Sequence, residues 1–154
     1  MSPITVVIAH HEKTRRAACL NLLQPEKGIR VAGVARTGLE AITAAAKLKP
    51  HILLLDLNLS KGNGIALLPA VRQKSPRTKV ILLTQGVSKT RILEALSRGA
   101  MGYLDEKLVS TFLPKAVRLV DAGEAWVPRK MVAKILDRLA RLTARQEGRK
   151  AALD

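Results

Sequence analysis

The residue with the clearest chemical potential is a single carboxylate, Asp56, which ends an apolar run over residues 52–55 and precedes a polar, glycine-containing loop. The run does not alternate polar and apolar residues, which is typical of a strand covered on both faces in a parallel α/β sheet. Loops at the carboxyl ends of such strands hold the functional groups, so Asp56 is a candidate for handling a phosphate, a metal or a nucleotide. The plainer interpretation is a helix cap or turn residue.

Two adjacent histidines, His10 and His11, follow the first apolar run, over residues 4–9. Two imidazoles and a carboxylate suit Zn or Fe better than Mg²⁺, so a transition-metal site with Asp56 is one interpretation. The other, which we favour, is a metal-free pocket in which an imidazolium donates a hydrogen bond to Asp56. Adjacent residues at an extended strand end point apart, and a further protein ligand is not evident. His51 is excluded, because it begins the strand that Asp56 ends, roughly 17 Å away.

Apolar runs of strand length alternate with helical patterns between residues 4 and 122. Strands are expected over residues 4–9, 29–35, 52–56, 79–84 and 100–104, and helices from residue 12 and over residues 39–48, 64–74, 88–98 and 110–122. Parallel strands need right-handed helical crossovers, so five repeats predict a parallel sheet between two helical layers, a three-layer α/β sandwich. The loop after the first strand contains no glycine, which argues against a Rossmann cofactor site or a P-loop.

Two prolines lie within the helical patterns. A proline is best tolerated in a first turn, where its missing N–H has no intrahelical partner. Pro69 therefore predicts a kink or a late helix start, and Pro114 is expected in the first turn of its helix.

The composition fits one domain, with 154 residues of which 47% are hydrophobic. The net charge of +15 favours an anionic partner such as nucleic acid, but charge does not specify a fold. No apolar run approaches membrane-spanning length and the N-terminus lacks signal-peptide features, so a cytoplasmic protein with no membrane partner is expected. The single cysteine, Cys19, cannot form an internal disulfide and is expected to be a small core residue.

A basic amphipathic segment, residues 125–154, follows the expected first domain at residues 1–124. From residue 128 onward there are eight Lys or Arg against three Asp or Glu, a net charge of +5. The pattern predicts a linker helix starting at Pro128, with an apolar stripe formed by Val132, Ile135, Leu136, Leu139 and Leu142. We expect Ile135 and Leu139 to be buried against the first domain or a second copy, because an exposed stripe of that width promotes association. A homodimer is the favoured outcome.

Four segments in order, IAHHE, LLLDLNLSKGNG, LLTQG and GAMGYLDEK, resemble the receiver domain of bacterial two-component response regulators, most closely the NarL/FixJ-type group. The resemblance covers residues 4–122 and implies a flavodoxin-like, CheY-like (βα)5 fold with strand order 2-1-3-4-5. It implies that Asp56 takes the place of the aspartate that accepts a phosphoryl group from a histidine kinase, and that Thr84 and Tyr103 are switch residues. The LTAR sequence at Leu142 resembles the opening of a LuxR-type helix-turn-helix domain, so DNA binding is expected through such a domain, which this chain does not include.

The sequence departs from the family pattern where Mg²⁺ and phosphate are handled. His10 and His11 stand in place of two acidic residues, and Glu106, followed by Lys107, stands in place of a lysine. Gln85 occupies an access position that is commonly small. Mg²⁺ requires hard oxygen ligands, and Glu106 adds repulsion where phosphoryl transfer needs attraction. Mg²⁺ is expected to bind weakly or not at all, and no cofactor is expected.

These departures predict an atypical receiver domain with a degenerate acidic pocket. We expect a regulatory module of signal transduction and transcription, not an enzyme, that works without Mg²⁺-dependent phosphorylation. Two alternatives stay open at this point: a conventional phospho-acceptor at Asp56 with unusual ligands, and a stand-alone metal- or nucleic-acid-binding module of the same fold. In the loop after Asp56, Ser60 and Lys61 replace the proline and glycine that are usual in the family.

Overall fold

Strands and helices alternate along residues 2–153, which the computed structural model describes. The strands are β1 (Ile4–Ala9), β2 (Ile29–Ala35), β3 (Ile52–Asp56), β4 (Lys79–Thr84) and β5 (Gly102–Asp105). The helices are α1 (Lys13–Leu23), α2 (Gly38–Leu48), the short α3 (Leu59–Gly62), α4 (Leu68–Lys74), α5 (Lys89–Ser97), α6 (Glu106–Asp121) and α7 (Arg129–Leu153), with a 3-10 helix over Gly64–Leu67.

The five strands form one parallel sheet in the order β2-β1-β3-β4-β5. Helices α1 and α6 cover one face, and α2, α4 and α5 cover the other. Successive residues of one strand enter opposite cores: Leu54 packs with the first helical pair, whereas Leu53 and Leu55 pack with the second group. The apolar runs are uninterrupted because both faces of each central strand are buried. The predicted three-layer sandwich and its strand order are confirmed.

The two prolines have different outcomes. Helix α4 begins only at Leu68, after the 3-10 turn, so Pro69 lies in a first turn and the late start is confirmed. Strand β5 spans Gly102–Asp105 instead of residues 100–104, and the Asp105 side chain caps α6 by accepting a 2.9 Å hydrogen bond from the Lys107 N–H. Helix α6 therefore begins at Glu106, four residues earlier than expected, and the placement of Pro114 in the first turn was wrong. Pro114 lies inside the helix.

The C-terminal helix α7 packs its first turns against α5 and the adjoining core. Ile135, which was expected to be buried, is partly buried. Met131, which the predicted stripe did not include, is buried. Leu139, however, is 40% exposed, so the first domain does not bury it, and its burial against a second copy stays a prediction. Val132, Leu136 and Leu142 are exposed as well. Among residues 2–153, no helix combines the length and apolar character needed to cross a membrane.

Leu54→Ala is expected to lower the free energy of unfolding by about 2–5 kcal/mol, because it removes a fully buried side chain from the central strand and leaves a cavity. Leu39→Ala is the matched control, since Leu39 is 77% exposed on α2 and its truncation should cost less than about 0.5 kcal/mol. Urea unfolding followed by circular dichroism measures both. Equal losses in the two variants would contradict this description of the core.

Cys19 is expected to resist alkylation in the folded protein. It is buried, as predicted, and burial, with a smaller contribution from the Glu106 charge, raises the pKa of its thiol to about 12. The thiol stays protonated at pH 8, and only the thiolate is a good nucleophile. Iodoacetamide labelling followed by mass spectrometry should show no adduct in native buffer and one adduct per chain in guanidinium chloride. Native labelling at the rate of a free thiol would show that α1 does not hold Cys19 in the core.

Candidate functional site

The carboxyl ends of the central strands bring the predicted site residues to one edge of the sheet. Ala9 pairs with Leu55, and Thr84 pairs with Asp105, so the residues after β1, at the end of β3 and after β5 lie side by side. A hydrogen bond of 3.0 Å from the His10 N–H to the Ala35 carbonyl extends the β1 ladder by one residue. His10, Asp56 and Thr84 are all buried. Three residues singled out from the sequence therefore lie at this edge of the sheet.

The Asp56 carboxylate is fully hydrogen-bonded within the chain. Its Oδ1 accepts a 2.8 Å hydrogen bond from the Asn58 N–H. Its Oδ2 accepts a 3.2 Å hydrogen bond from the His11 N–H and a second one from His11 Nδ1. Asp56 also has almost no exposed surface. Both of its carboxylate oxygens therefore already have hydrogen-bond partners within the chain.

The two imidazoles converge on one oxygen of Asp56. His10 Nδ1 lies 3.4 Å from Asp56 Oδ2, the same oxygen that His11 Nδ1 contacts. Their rings stack, with centroids 5.3 Å apart and an angle of 18° between planes. The expectation that adjacent side chains point apart was wrong, because β1 ends at Ala9 and the chain bends at His11. Strand alternation no longer applies beyond that point.

Hydrogen-bond partners assign a tautomer to His10. The Glu12 N–H donates to His10 Nδ1 over 3.0 Å, so this nitrogen carries the lone pair. His10 Nε2 then carries the proton and donates to Glu106 Oε1 over 2.7 Å. His10 is a neutral imidazole in this arrangement, and the hydrogen bond to Asp56 comes from His11 instead.

Glu106 is held by a cation that the sequence did not indicate. Its side chain is only 6% exposed, and its Oε2 accepts a 3.1 Å hydrogen bond from Arg15 Nη1. Arg15 Nε donates to Glu12 Oε2 over 2.9 Å, so one guanidinium serves two carboxylates. Desolvation acts to lower the pKa of Arg15, but these carboxylates outweigh it and the pKa is raised. A buried glutamate requires a partner. The only sequence signal for Arg15 as that partner was its position on α1, three residues after Glu12.

The contacts close into a ring, which we call the pocket network. His11 Nε2 completes it, since it lies 3.5 Å from Glu12 Oε1. In order around the ring, the members are Asp56, His11, Glu12, Arg15, Glu106 and His10. With both imidazoles neutral, three carboxylates and one guanidinium give the network a formal charge of −2. The side chains of His10, Asp56 and Glu106 are enclosed, whereas those of His11, Glu12 and Arg15 are 43%, 41% and 32% exposed and form the solvent side of the network.

The expected switch residues lie beside the pocket network and toward α7. The Thr84 hydroxyl is buried and donates to the Leu104 carbonyl over 3.4 Å. The Tyr103 hydroxyl donates to Met131 Sδ over 3.2 Å, which places the ring of β5 against the start of α7. Burial, and to a lesser extent the Asp105 charge, raises the pKa of Tyr103. Tyr103 and Thr84 also line a cleft of about 720 Å³ that is bounded on its other side by Trp126 and Pro128.

Two further predicted residues lie at the margin of the site. Gln85 has an exposed side chain, and its carbonyl accepts a 3.1 Å hydrogen bond from Asn58 Nδ2, which ties the loop after β4 to the loop after β3. The Lys107 side chain is exposed at the start of α6. Neither is part of the ring of contacts around Asp56 and Glu106.

The loop after Asp56 follows a path that its sequence helps to explain. Ser60 and Lys61 have φ values of 55° and 58°, a left-handed conformation that is uncommon for residues other than glycine. Proline, which has φ near −65°, cannot adopt this conformation at position 60. Further along, a Cβ on Gly64 would lie 2.9 Å from the backbone oxygens of Asp56 and Leu57, so a glycine is required for the close return of the loop.

Comparisons with known proteins point in one direction. Residues 6–118 match a family model described as response regulator receiver domain. The transcriptional regulatory protein LnrK of Bacillus subtilis is 31% identical over 134 residues, which are 87% of this chain and 61% of that protein. The nitrate/nitrite response regulator protein NarL of Escherichia coli K12 is 31% identical over 122 residues, which are 79% of this chain and 56% of that protein.

A solved structure agrees with these sequence relatives. The response regulator domain of Thermotoga maritima CheB superposes with a TM-score of 0.69 at 25% identity, covering 78% of this chain and 97% of that one. The match to nearly all of a response regulator domain supports the flavodoxin-like assignment of the sheet. The chain spans about 60% of the length of the two curated relatives.

Arg15→Met is expected to lower the free energy of unfolding by about 1–3 kcal/mol, because it keeps side-chain bulk while leaving the buried Glu106 carboxylate without its cation. Arg36→Met is the control: the exposed Arg36 and Glu40 charges are 3.7 Å apart, and breaking this pair should cost about 0.5 kcal/mol or less. Urea unfolding at pH 7 measures both. If the two variants lose the same stability, Arg15 does not hold the pocket network.

Proposed function

Because the chain belongs to the response regulator receiver domain family, we propose that it is a regulatory domain that works without Mg²⁺-dependent phosphorylation of Asp56. The observation that carries the proposal is the pocket network. His10, His11 and Glu106 fill the positions where the family resemblance places two acidic residues and a lysine, and they bind Asp56 and one another.

The donor atoms around Asp56 argue against Mg²⁺ binding. Mg²⁺ needs near-octahedral oxygen ligands and gives up water reluctantly. Here Asp56 Oδ2 already accepts hydrogen bonds from His11 Nδ1 and from the His11 N–H, with His10 Nδ1 only 3.4 Å away. Oδ1 already accepts the Asn58 N–H. A magnesium ion would gain one carboxylate oxygen and would have to displace hydrogen bonds to reach it. Weak or absent Mg²⁺ binding follows from this exchange.

Charge placement argues against phosphoryl transfer. The reaction depends on cations that neutralise the transferred oxygens. The buried group on the β5 side of the pocket is the Glu106 carboxylate, and the nearby Arg15 is already bound to two carboxylates. Lys107 has an exposed side chain, outside the ring. The pocket therefore offers repulsion to an incoming phosphoryl group, and a histidine kinase is not required as a partner.

The output of this domain is proposed from its relatives and from α7. LnrK is named a transcriptional regulatory protein, and the match covers 61% of its length. We propose a non-enzymatic role in transcription, with DNA contacted through a helix-turn-helix domain that follows the LTAR sequence at Leu142. The exposed Val132, Leu136 and Leu139 of α7 support a homodimer, since this apolar stripe has no cover in the single chain.

Acetyl phosphate with Mg²⁺ is expected to leave Asp56 unlabelled. The reason is the absence of hard ligands beside the carboxylate together with the Glu106 charge. Intact-protein mass spectrometry after incubation with acetyl phosphate and Mg²⁺ should show no added phosphoryl mass. Phosphorylation of the unmodified chain that Asp56→Ala abolishes would overturn the proposal and identify a conventional phospho-acceptor with unusual ligands.

The matched positive control is the triple variant His10→Asp, His11→Asp and Glu106→Lys. It supplies two hard ligands and a cation together, so it should accept the phosphoryl group at Asp56 under the same conditions. The double variant His10→Asp, His11→Asp should label much less, because a metal without the cation leaves the transferred charge only partly neutralised.

A further inference from the structure

We propose that His10, His11 and Asp56 form a binding site for a transition-metal dication of the Zn²⁺ type. This inference deepens the proposed function, because it names a ligand for the same pocket in a receiver that does without Mg²⁺. The objection raised by the sequence was that adjacent histidines point apart. The structure removes it, since both imidazoles present Nδ1 to Asp56 Oδ2.

The spacing of the three donor atoms suits one ion. One ligand atom from each residue lies within 4.8 Å of the others. Ligands of a tetrahedral Zn²⁺ site are roughly 3.3 Å apart, given bonds of about 2.0–2.1 Å. His10 Nδ1 and Asp56 Oδ2 are already 3.4 Å apart. His11 Nδ1 is closer to that oxygen and must move back, which its partly exposed ring can do toward solvent.

The outward nitrogens of both rings face carboxylates. His10 Nε2 donates to Glu106 Oε1 over 2.7 Å, and His11 Nε2 lies 3.5 Å from Glu12 Oε1. Metal-binding histidines usually donate the second ring N–H to such a carboxylate, which orients the ring and makes the metal-binding nitrogen more basic. Arg15 bridges both carboxylates and fixes them. The pocket thus contains a set of supporting contacts as well as three ligands.

Protons and lone pairs balance without an added reactant. His10 Nδ1 has its lone pair toward the pocket, where it accepts the Glu12 N–H. The ion takes this lone pair, and the Glu12 N–H, at the half-buried N-cap of α1, gives up this hydrogen bond. His11 shifts its proton from Nδ1 to Nε2, where Glu12 Oε1 accepts it. A dication also cancels the −2 formal charge of the pocket network, and water completes the coordination on the exposed His11 side.

The donor set selects against the hard ion of the family. Imidazole nitrogen with one carboxylate favours Zn²⁺, Cu²⁺, Ni²⁺ or Co²⁺, whereas Mg²⁺ favours all-oxygen sites. Zn²⁺ is the probe of choice for affinity, and Co²⁺ reports coordination geometry through its visible absorption.

Isothermal titration of the chelator-treated chain with Zn²⁺ is the test. We expect one ion per chain with a dissociation constant of about 10 µM or tighter, and no heat of binding with Mg²⁺ at the same concentration. His11→Gln and Asp56→Asn should each weaken Zn²⁺ binding about tenfold or more, and Glu106→Gln about tenfold. His51→Gln is the matched control. His51 directly precedes β3 and is hydrogen-bonded to Thr5 of β1, so its replacement should leave binding unchanged. Circular dichroism establishes that each variant is folded.

Three outcomes would overturn the site: no stoichiometric Zn²⁺ binding by the folded chain, unchanged binding in both His11→Gln and Asp56→Asn, or an equal loss in His51→Gln. Failure here is distinguishable from failure of the proposed function. A chain that binds no Zn²⁺ and still resists acetyl phosphate contradicts only the metal site, whereas phosphorylation at Asp56 in Mg²⁺ contradicts the proposed function whatever the zinc result.

Discussion

Two buried carboxylates in one pocket, Asp56 and Glu106, are the constraint around which this edge of the molecule is arranged. An enclosed carboxylate is costly unless it is hydrogen-bonded and paired. Asp56 meets this requirement with backbone N–H groups and His11, and Glu106 meets it with His10 and Arg15. His10 is the central residue, since it lies between the two carboxylates and is neutral in its assigned tautomer. The bend after β1 places both imidazoles within contact of Asp56, and it places His10 within hydrogen-bond distance of Glu106.

The parallel sheet brings the residues of the pocket network together at one edge. Parallel strands end at a common edge, so residues that are 46 positions apart, such as His10 and Asp56, meet without any long loop. The central strand β3 is apolar until Asp56 and is buried on both faces, so its polar group lies at its carboxyl end. A pocket with buried charge is then supported by a rigid core. The left-handed residues Ser60 and Lys61 and the close return at Gly64 follow directly after β3, so this loop packs tightly beside the strand end that carries Asp56.

The parallel sheet and the strand ends that carry His10, Asp56 and Thr84 could be predicted from apolar runs and helical crossovers, whereas the strand order was implied by the resemblance to receiver domains. The details of the pocket could not be predicted. Convergence of His10 and His11 depends on the backbone bend beyond Ala9, which residue types do not specify. Arg15 enters through a contact with Glu106, 91 positions away, and long side chains leave no periodic signal of their partner. The early start of α6 depends on a capping hydrogen bond at Asp105, one residue past the expected strand end. Leu139 was expected to be buried because the amphipathic pattern places it on the same face of α7 as Ile135. The pattern does not specify how far along the helix a neighbour covers that face.

The pocket and the C-terminal helix are joined by a short structural connection. Glu106 is the first residue of α6, and it directly follows Asp105, the last residue of β5. Three residues before Glu106, Tyr103 holds Met131 at the start of α7 through its hydroxyl. His10 contacts Glu106 in the first turn of α6, and the capping bond from the Lys107 N–H to Asp105 joins that turn to the end of β5. Since α7 also packs against α5, its orientation depends on the position of β5 relative to α5. The pocket network and the start of α7 are therefore connected through β5 and the first residue of α6.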